Sequence, residues 1–438
     1  MVSFFRRAAW LIVFAAVSTV AVAADRPTVV VTGGKGQSFR VALQRFAGGP
    51  GAEGYRIALG NALEFSGIFL LIDQKAFLGP IATTSLGVRS RLDCGEWSTI
   101  GGDVFIEGAL RVERADFVAE FRVWDLAGCT RELRRRYRQS SDADPSILAK
   151  RMADDIVEEF TGTRGVSSTE LTFVSTRGGN PEIFVMDANG QNQRAATANR
   201  SINNFPCWSP SGESIVYTSY RYQNRPTLFV STRGRGSPGR ILSNLGDVPQ
   251  YRAVFGPDGS EFAVVMSAEE STEIYRVRTD GKGLRRLTRN RSVDISPAWS
   301  PDGRRMAFVS DRSGSPQIYM MNSDGSAVRR LTFDGGYNAS PAWSPDGRWI
   351  AYQTRVGGNQ FDIWLIDPDG SVNLPLVSHP RSDESPTWSP DSRKIAFSST
   401  RRGNADIYVI DSNGEHLQRL TESPGEDTSP AWGPYSPR

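Results

Sequence analysis

In the second half of the chain, short runs of alternating apolar and polar residues recur in a fixed order. One unit runs Ser296 to Ser300, a turn Pro301-Asp302-Gly303, Arg305 to Ser310, a polar break Asp311 to Pro316, then Gln317 to Asn322. A second turn, Ser323-Asp324-Gly325, leads into a last run, Ala327 to Thr332. Period-two alternation over five or six residues predicts half-buried strands. Pro-Asp-Gly predicts a tight turn, because proline presets φ and glycine accepts a positive one. The aromatic that opens each unit stands at Trp208, Phe255, Trp299, Trp343, Trp388 and Trp432, with separations of 47, 44, 44, 45 and 44. Four short antiparallel strands repeated at that period predict the blades of an all-β propeller.

The ends of the repeat array decide how the ring closes. The first piece, Leu171 to Thr176, Glu182 to Asp187 and Gln191 to Thr197, supplies second, third and fourth strands without a first. The last piece, Thr428 to Trp432, supplies only a first strand. Joined, they make one blade, so the expected count is six, closed by a C-terminal strand that removes the open edges of a linear array.

Phe39 to Phe160 show a different pattern, that of a mixed α/β domain. Tyr55, Leu59, Ala62 and Leu63 recur at helical spacing between Ala52 and Ser66, with Gly67 placed to end the helix. Phe69 to Ile72, Val104 to Val112, Phe117 to Leu126 and Arg131 to Arg138 read as strands, and Asp144-Pro145 starts a helix through Phe160. The expected domains are a signal peptide over 1–24, an α/β domain over 25–164 and the propeller over 165–438.

Charge and the N-terminus narrow the setting. Arg6-Arg7, an apolar run from Ala8 to Val20 and the small residues Ala21-Val22-Ala23-Ala24 predict export, with cleavage after Ala23 or Ala24. The run is too short to span a bilayer, so a periplasmic protein without membrane insertion is expected. With 51 basic against 48 acidic side chains, nothing supports general nucleic-acid binding. The run Arg134-Arg135-Arg136 alternates on a strand and reads as a solvated face. Gly33-Gly34-Lys35-Gly36 lacks the spacing of a phosphate loop and reads as a flexible joint. Cys94, Cys129 and Cys207 fit no metal spacing. Export would permit a Cys94–Cys129 disulfide, but sequence leaves their distance open.

The signal peptide, the small α/β domain, six repeats built on Trp-Ser-Pro-Asp-Gly, Ser-x-Arg-x-Gly and Ile-Tyr with a following Asp-Gly, and the closing Pro430-Ala431-Trp432-Gly433-Pro434-Tyr435 together resemble the TolB family. The resemblance implies a periplasmic member of the Tol-Pal system that supports outer-membrane integrity and constriction at division. It implies binding without chemistry or cofactor: one propeller face receives the lipoprotein Pal, and the mature N-terminal arm contacts TolA. Here that arm is Asp25, Arg26, Pro27, Thr28, Val29, Val30, Val31 and Thr32. Arg26-Pro27 and the glycines after Thr32 depart from the family's pattern. A monomer is expected.

The connections entering each innermost strand share one face of a propeller, at the mouth of its channel. They offer Asn204, Phe205, Gln250, Tyr251, Arg252, Asp294, Ile295, Asn338, Asp383 and Asp427 as partner-binding candidates. The resemblance points within this set to Gln250, Tyr251, Arg252 and Ile295. Phe205, Tyr251 and Arg252 are the expected anchors, because aromatics and arginine combine buried area with directed polar contacts. The tryptophans read instead as packing between blades, and the Asp-Gly pairs as turns without EF-hand spacing. Two other readings remain: a propeller that binds a small ligand in its channel, and a non-catalytic relative of propeller serine peptidases. For a peptidase the chain lacks a Gly-x-Ser-x-Gly elbow, and its histidines, His379 and His416, have no nucleophile beside them in sequence.

Overall fold

Alternation puts every second residue of a strand on one face, and in the α/β domain both faces are covered. The computed structural model describes residues 38–49, 51–77, 92–114, 116–140, 143–233, 240–241, 245, 248–268, 271–355 and 358–436. The expected signal peptide and the arm Asp25 to Thr32 lie outside them. The first sheet is built from β1 (Phe39–Leu43), β2 (Ala47–Gly48), β3 (Phe69–Leu71), β4 (Val104–Glu113), β5 (Asp116–Asp125) and β6 (Thr130–Ser140). Its order is β3-β1-β4-β5-β6, with β2 against β4; β1 runs parallel to β3 and β4, and β4, β5 and β6 form an antiparallel meander.

On one face Val41, Val104, Ile106 and Phe121 pack under α1 (Ala52–Phe65) and α3 (Pro145–Thr161). On the other, Ala42 and Phe105 meet Trp97 and Cys94 of α2 (Cys94–Thr99). Asp93 caps α2 by accepting from the Gly95 and Glu96 amides. A Cys94–Cys129 disulfide, with Cα atoms 5.8 Å apart, ties that helix to the turn between β5 and β6. Both β1 and α2 are elements that the sequence pattern does not announce.

Six four-stranded sheets follow, blades 1 to 6, whose innermost strands are Asn203–Trp208, Gln250–Phe255, Asp294–Trp299, Asn338–Trp343, Asp383–Trp388 and Asp427–Trp432. Blade 6 joins the chain's ends, because the last strand, Asp427–Trp432, lies beside β7 (Glu170–Ser175), followed by β8 (Glu182–Asp187) and β9 (Arg194–Ala195). The apolar clusters straddle neighbouring blades. Trp343 packs on Ala307, Val309 and Ile318 of blade 3 and on Ile350 and Tyr352 of its own; Trp388 packs likewise between blades 4 and 5. Each such buried indole contributes about 2 to 3 kcal/mol by area alone, and the seam between blades 1 and 2 has Phe255 in its place. The Ser-Pro-Asp-Gly turn is knit from inside: Ser300 Oγ donates to Asp302 Oδ1 at 2.6 Å, and the Arg304 and Arg305 amides donate to Asp302 Oδ1 and Ser300 Oγ. The hydroxyl bond holds the Asp302 pKa below the usual carboxylate value. Gly325, in the outer Asp-Gly turn, has φ +90°, and a Cβ there would lie 2.6 Å from the Leu287 carbonyl oxygen of the preceding blade.

The two domains meet on a buried carboxylate. Asp154 of α3 is fully enclosed and accepts from the Ser167 amide at 2.6 Å, the Ser168 amide at 2.9 Å and the Ser168 hydroxyl. Burial outweighs these bonds and raises its pKa to about 6. Lys150 of α3 pairs with Asp187 of β8 at 2.6 Å. Phe65, at the end of α1, packs into the cluster around Trp432 and lies under the Lys394 ammonium, 5.0 Å from its ring centroid.

Two outcomes test these contacts. Gly325→Ala will lower stability in denaturant unfolding by about 1 to 3 kcal/mol. Gly314→Ala, at φ +97° with no atom within 4 Å of the added carbon, will cost less. Equal losses would place the whole effect in φ. A carboxyl with a raised folded pKa favours the fold when protonated, so wild type loses stability as pH rises from about 4 through about 6. Relative to Asp154→Asn, which cannot titrate, wild type will therefore lose up to about 3 kcal/mol across that window. A pH-independent difference in urea midpoints would overturn the assignment.

Candidate functional site

Each innermost strand follows one pattern, clearest in Asp294-Ile295-Ser296-Pro297-Ala298-Trp299. The third residue takes the left-handed conformation, with φ between 51° and 55° at Phe205, Ser296, Ser340, Ser385 and Ser429. The pairing register slips there, as between Ile295 and Ala298. Proline follows each of these residues, tolerated because an innermost strand is an edge whose unpaired side faces the channel. The first residue of the strand thereby turns into the blade, and the next several line the axis. Blade 2 departs: Gln250–Phe255 carries Arg252-Ala253 in place of Ser-Pro, without a positive φ, and from Arg252 onward it pairs regularly with the next strand.

The channel encloses about 660 Å³. Its wall is made of prolines, the edges of the tryptophans and the serine hydroxyls, and Arg252 is the one charged side chain among the described residues that line it. Arg252 is partly buried; it donates from Nη1 to Ser296 Oγ at 3.2 Å and lies 5.6 Å from the Phe205 ring centroid. Burial lowers its pKa from the ordinary guanidinium value and raises that of the neighbouring Cys207 thiol.

The ten mouth candidates fall into two groups. Asp294, Asp383 and Asp427 are fully buried, each held by the arginine of a Ser-x-Arg segment: Arg312 at 2.8 Å, Arg401 at 2.9 Å and Arg177 at 2.9 Å. Asn338 is equally buried and donates to Gln317 Oε1 and the Asp334 carbonyl, both at 2.7 Å. Gln250 is buried and accepts from the Leu228 amide. These five are strand-end residues beneath the mouth, not side chains on its surface as the sequence reading expected. Asn204, Tyr251, Arg252 and Ile295 are half-buried, and Phe205 is 39 % exposed. Arg252 touches Phe205 of blade 1 and Ser296 of blade 3, and Phe205, Arg252 and Ile295 line the channel together across blades 1 to 3, whereas Asn204 and Tyr251 stand beside them in sequence without lining it.

The sequence reading missed two features of this face. Ile202, Val293 and Phe333, on the connections entering blades 1, 3 and 4, are exposed, Phe333 at 72 %. Their signal was an apolar residue in an otherwise polar connection. It also passed over the serines of the recurring Ser-Pro-Ala-Trp, which supply the channel hydroxyls. The α/β domain docks on the other face, where Gly67 approaches Asp411 and Lys150 reaches Asp187. His379 accepts from the Arg381 amide and His416 pairs with Asp411, so each is occupied within its own loop. Among the described residues, no helix is long and apolar enough to cross a membrane.

Comparison with known proteins matches the TolB beta propeller domain to residues 157–436 and the TolB amino-terminal domain to residues 27–131. The Tol-Pal system protein TolB of Anaeromyxobacter sp. (strain K) is 36 % identical over 304 residues, 67 % of each chain. That of Anaeromyxobacter dehalogenans (strain 2CP-1) is 36 % identical over 293 residues, 65 % of each chain, so the chain spans about two thirds of the length of the curated relatives it matches. The crystal structure of TolB from Acinetobacter baumannii shares the fold, with a TM-score of 0.81 at 21 % identity over 91 % of this chain and 97 % of that one. With the propeller match alone spanning more than half of its residues, the chain belongs to the TolB family.

Proposed function

We propose that this protein is a non-catalytic periplasmic component of the Tol-Pal system that binds Pal at the channel mouth and TolA through residues 25–32. In this reading residues 1–24 direct export, 25–164 form the α/β domain with its arm, and 165–438 form the propeller. The role in outer-membrane integrity and constriction at division follows from those two contacts. One observation carries the Pal assignment: Phe205, Arg252 and Ile295, an aromatic, a cationic and an aliphatic side chain, line the channel together on the face away from the α/β domain, with half-buried Tyr251 next to Arg252 in sequence. Ile202, Val293 and Phe333 extend exposed apolar surface around it. Anchors of this composition on rigidly held strand ends and loops suit a protein partner. The arm assignment rests on the sequence resemblance.

Calorimetric titration with the periplasmic domain of Pal tests the mouth. Phe205→Ala and Tyr251→Ala will each weaken binding about fivefold or more, on the order of 1 kcal/mol, with unchanged melting temperature. Leu284→Ala, exposed on an outer-strand connection of blade 2, will bind as wild type. Wild-type affinity in both mouth variants, or no binding by wild type, would remove the Pal assignment. Deleting residues 25–32 will abolish TolA capture; retained capture would remove the arm.

A further inference from the structure

The repeat supplies its own internal comparison. At the third position of the innermost strand, blades 3 to 6 carry Ser296, Ser340, Ser385 and Ser429, and blade 1 carries Phe205. Blade 2 alone places a cation there, Arg252. The change is coupled to the backbone: with Ala253 instead of proline and no positive φ, Arg252 faces Val265 in a regular ladder. Its long side chain lines the channel among residues that elsewhere present a hydroxyl.

The other arginines set a contrast. Arg177, Arg312 and Arg401 each hold a buried aspartate. Arg252 has no carboxylate partner among the described residues; it donates to the Ser296 hydroxyl. A guanidinium offers five donors in a planar fork, and a single hydroxyl leaves most of that capacity unused. Burial already disfavours its charge. The remaining wall is mainly indole, proline and serine, with Tyr337, Gln353 and Thr387 among its polar members and no acidic side chain among the described lining residues. A cation finds no counter-charge there, whereas an anion finds one fork beside the serines of blades 3 to 6.

We propose that the channel is a carboxylate-binding site, in which Arg252 takes the carboxylate in its fork and the indole and proline wall takes an apolar body. A planar monoanion fits one guanidinium better than a phosphate, whose second charge would lack a partner. The volume of about 660 Å³ accommodates a small organic acid. The carboxylate belongs either to such a free acid or to an acidic side chain reaching in from the partner at the mouth. The second source rests on the Pal reading; the site itself does not.

Titration of the full mature chain with cyclohexanecarboxylate, followed by the fluorescence of the channel tryptophans, tests the site. Saturable change is expected for the acid, with none for cyclohexylmethanol or cyclohexylmethylammonium. Arg252→Ala will weaken the acid at least tenfold at unchanged melting temperature, and Arg252→Lys will fall between. No saturation by the acid in wild type, or an equal response to the alcohol, overturns the proposal without any variant being needed. An unchanged affinity in Arg252→Ala overturns it as well. Repeating the titration with Pal separates the sources: mutual displacement identifies a partner side chain, and independent binding identifies a free acid, each supporting the site. If Pal binds and no carboxylate saturates the channel, the site is lost while the mouth reading stands.

Discussion

The antiparallel pairing of Asp427–Trp432 with β7 sets Asp427 opposite Ser175 and Trp432 opposite Leu171. It holds because several contacts converge on it. Arg177 pairs with Asp427, the Trp432 indole donates to Thr169 Oγ1 at 2.8 Å, and the Trp432 ring sits in the seam between blades 5 and 6. A ring differs from a stack in that each seam needs both of its neighbours. Without this pairing, blade 6 lacks its innermost strand and blade 5 lacks one wall of its apolar seam. The channel depends on the same closure, since Ser429, Pro430 and Trp432 line it.

Closure also fixes how the α/β domain sits. The segment between α3 and β7 is gripped from both sides: Asp154 binds the Ser167 and Ser168 amides, while Arg164 donates to the Ser436 carbonyl and Tyr435 donates to the Arg164 carbonyl. Ser436 Oγ donates to the Ser168 carbonyl. A stretch composed like a flexible linker is therefore held in place by the residues that follow the strand completing the propeller. The mouth, on the opposite face, is left open.

The period of the tryptophans and the Pro-Asp-Gly turns made the propeller and its closure legible, because those residues act locally or at a fixed repeat. Short or irregular elements were not legible: Phe39–Leu43 and Cys94–Thr99 are too brief to show a period, and the latter is secured by a disulfide whose distance no spacing reveals. The innermost strands begin two residues earlier than alternation suggests, at Asp294 rather than Ser296, because the bulge interrupts the period of two. The same bulge explains the divided site. Asp294, Asp383 and Asp427 look like loop residues in sequence, yet arginines from the following strand's end hold them inside the blade. The clue was available, since Ser-x-Arg accompanies each of those aspartates and blade 2, with Gln250, lacks it. That Arg252 meets no carboxylate among the described residues was beyond reach, because its surroundings are a property of the assembled ring.

The closing pair is separated by 427 − 175 = 252 positions. Contacts so distant in sequence form late, after the entropy of closing the intervening loop has been lost. During synthesis five blades can assemble while β7 waits with a bare edge, available to any strand that offers itself. The last strand therefore acts as a checkpoint on chain integrity: a ribosome that stops short of Asp427 releases a sticky, open ring rather than a slightly smaller propeller.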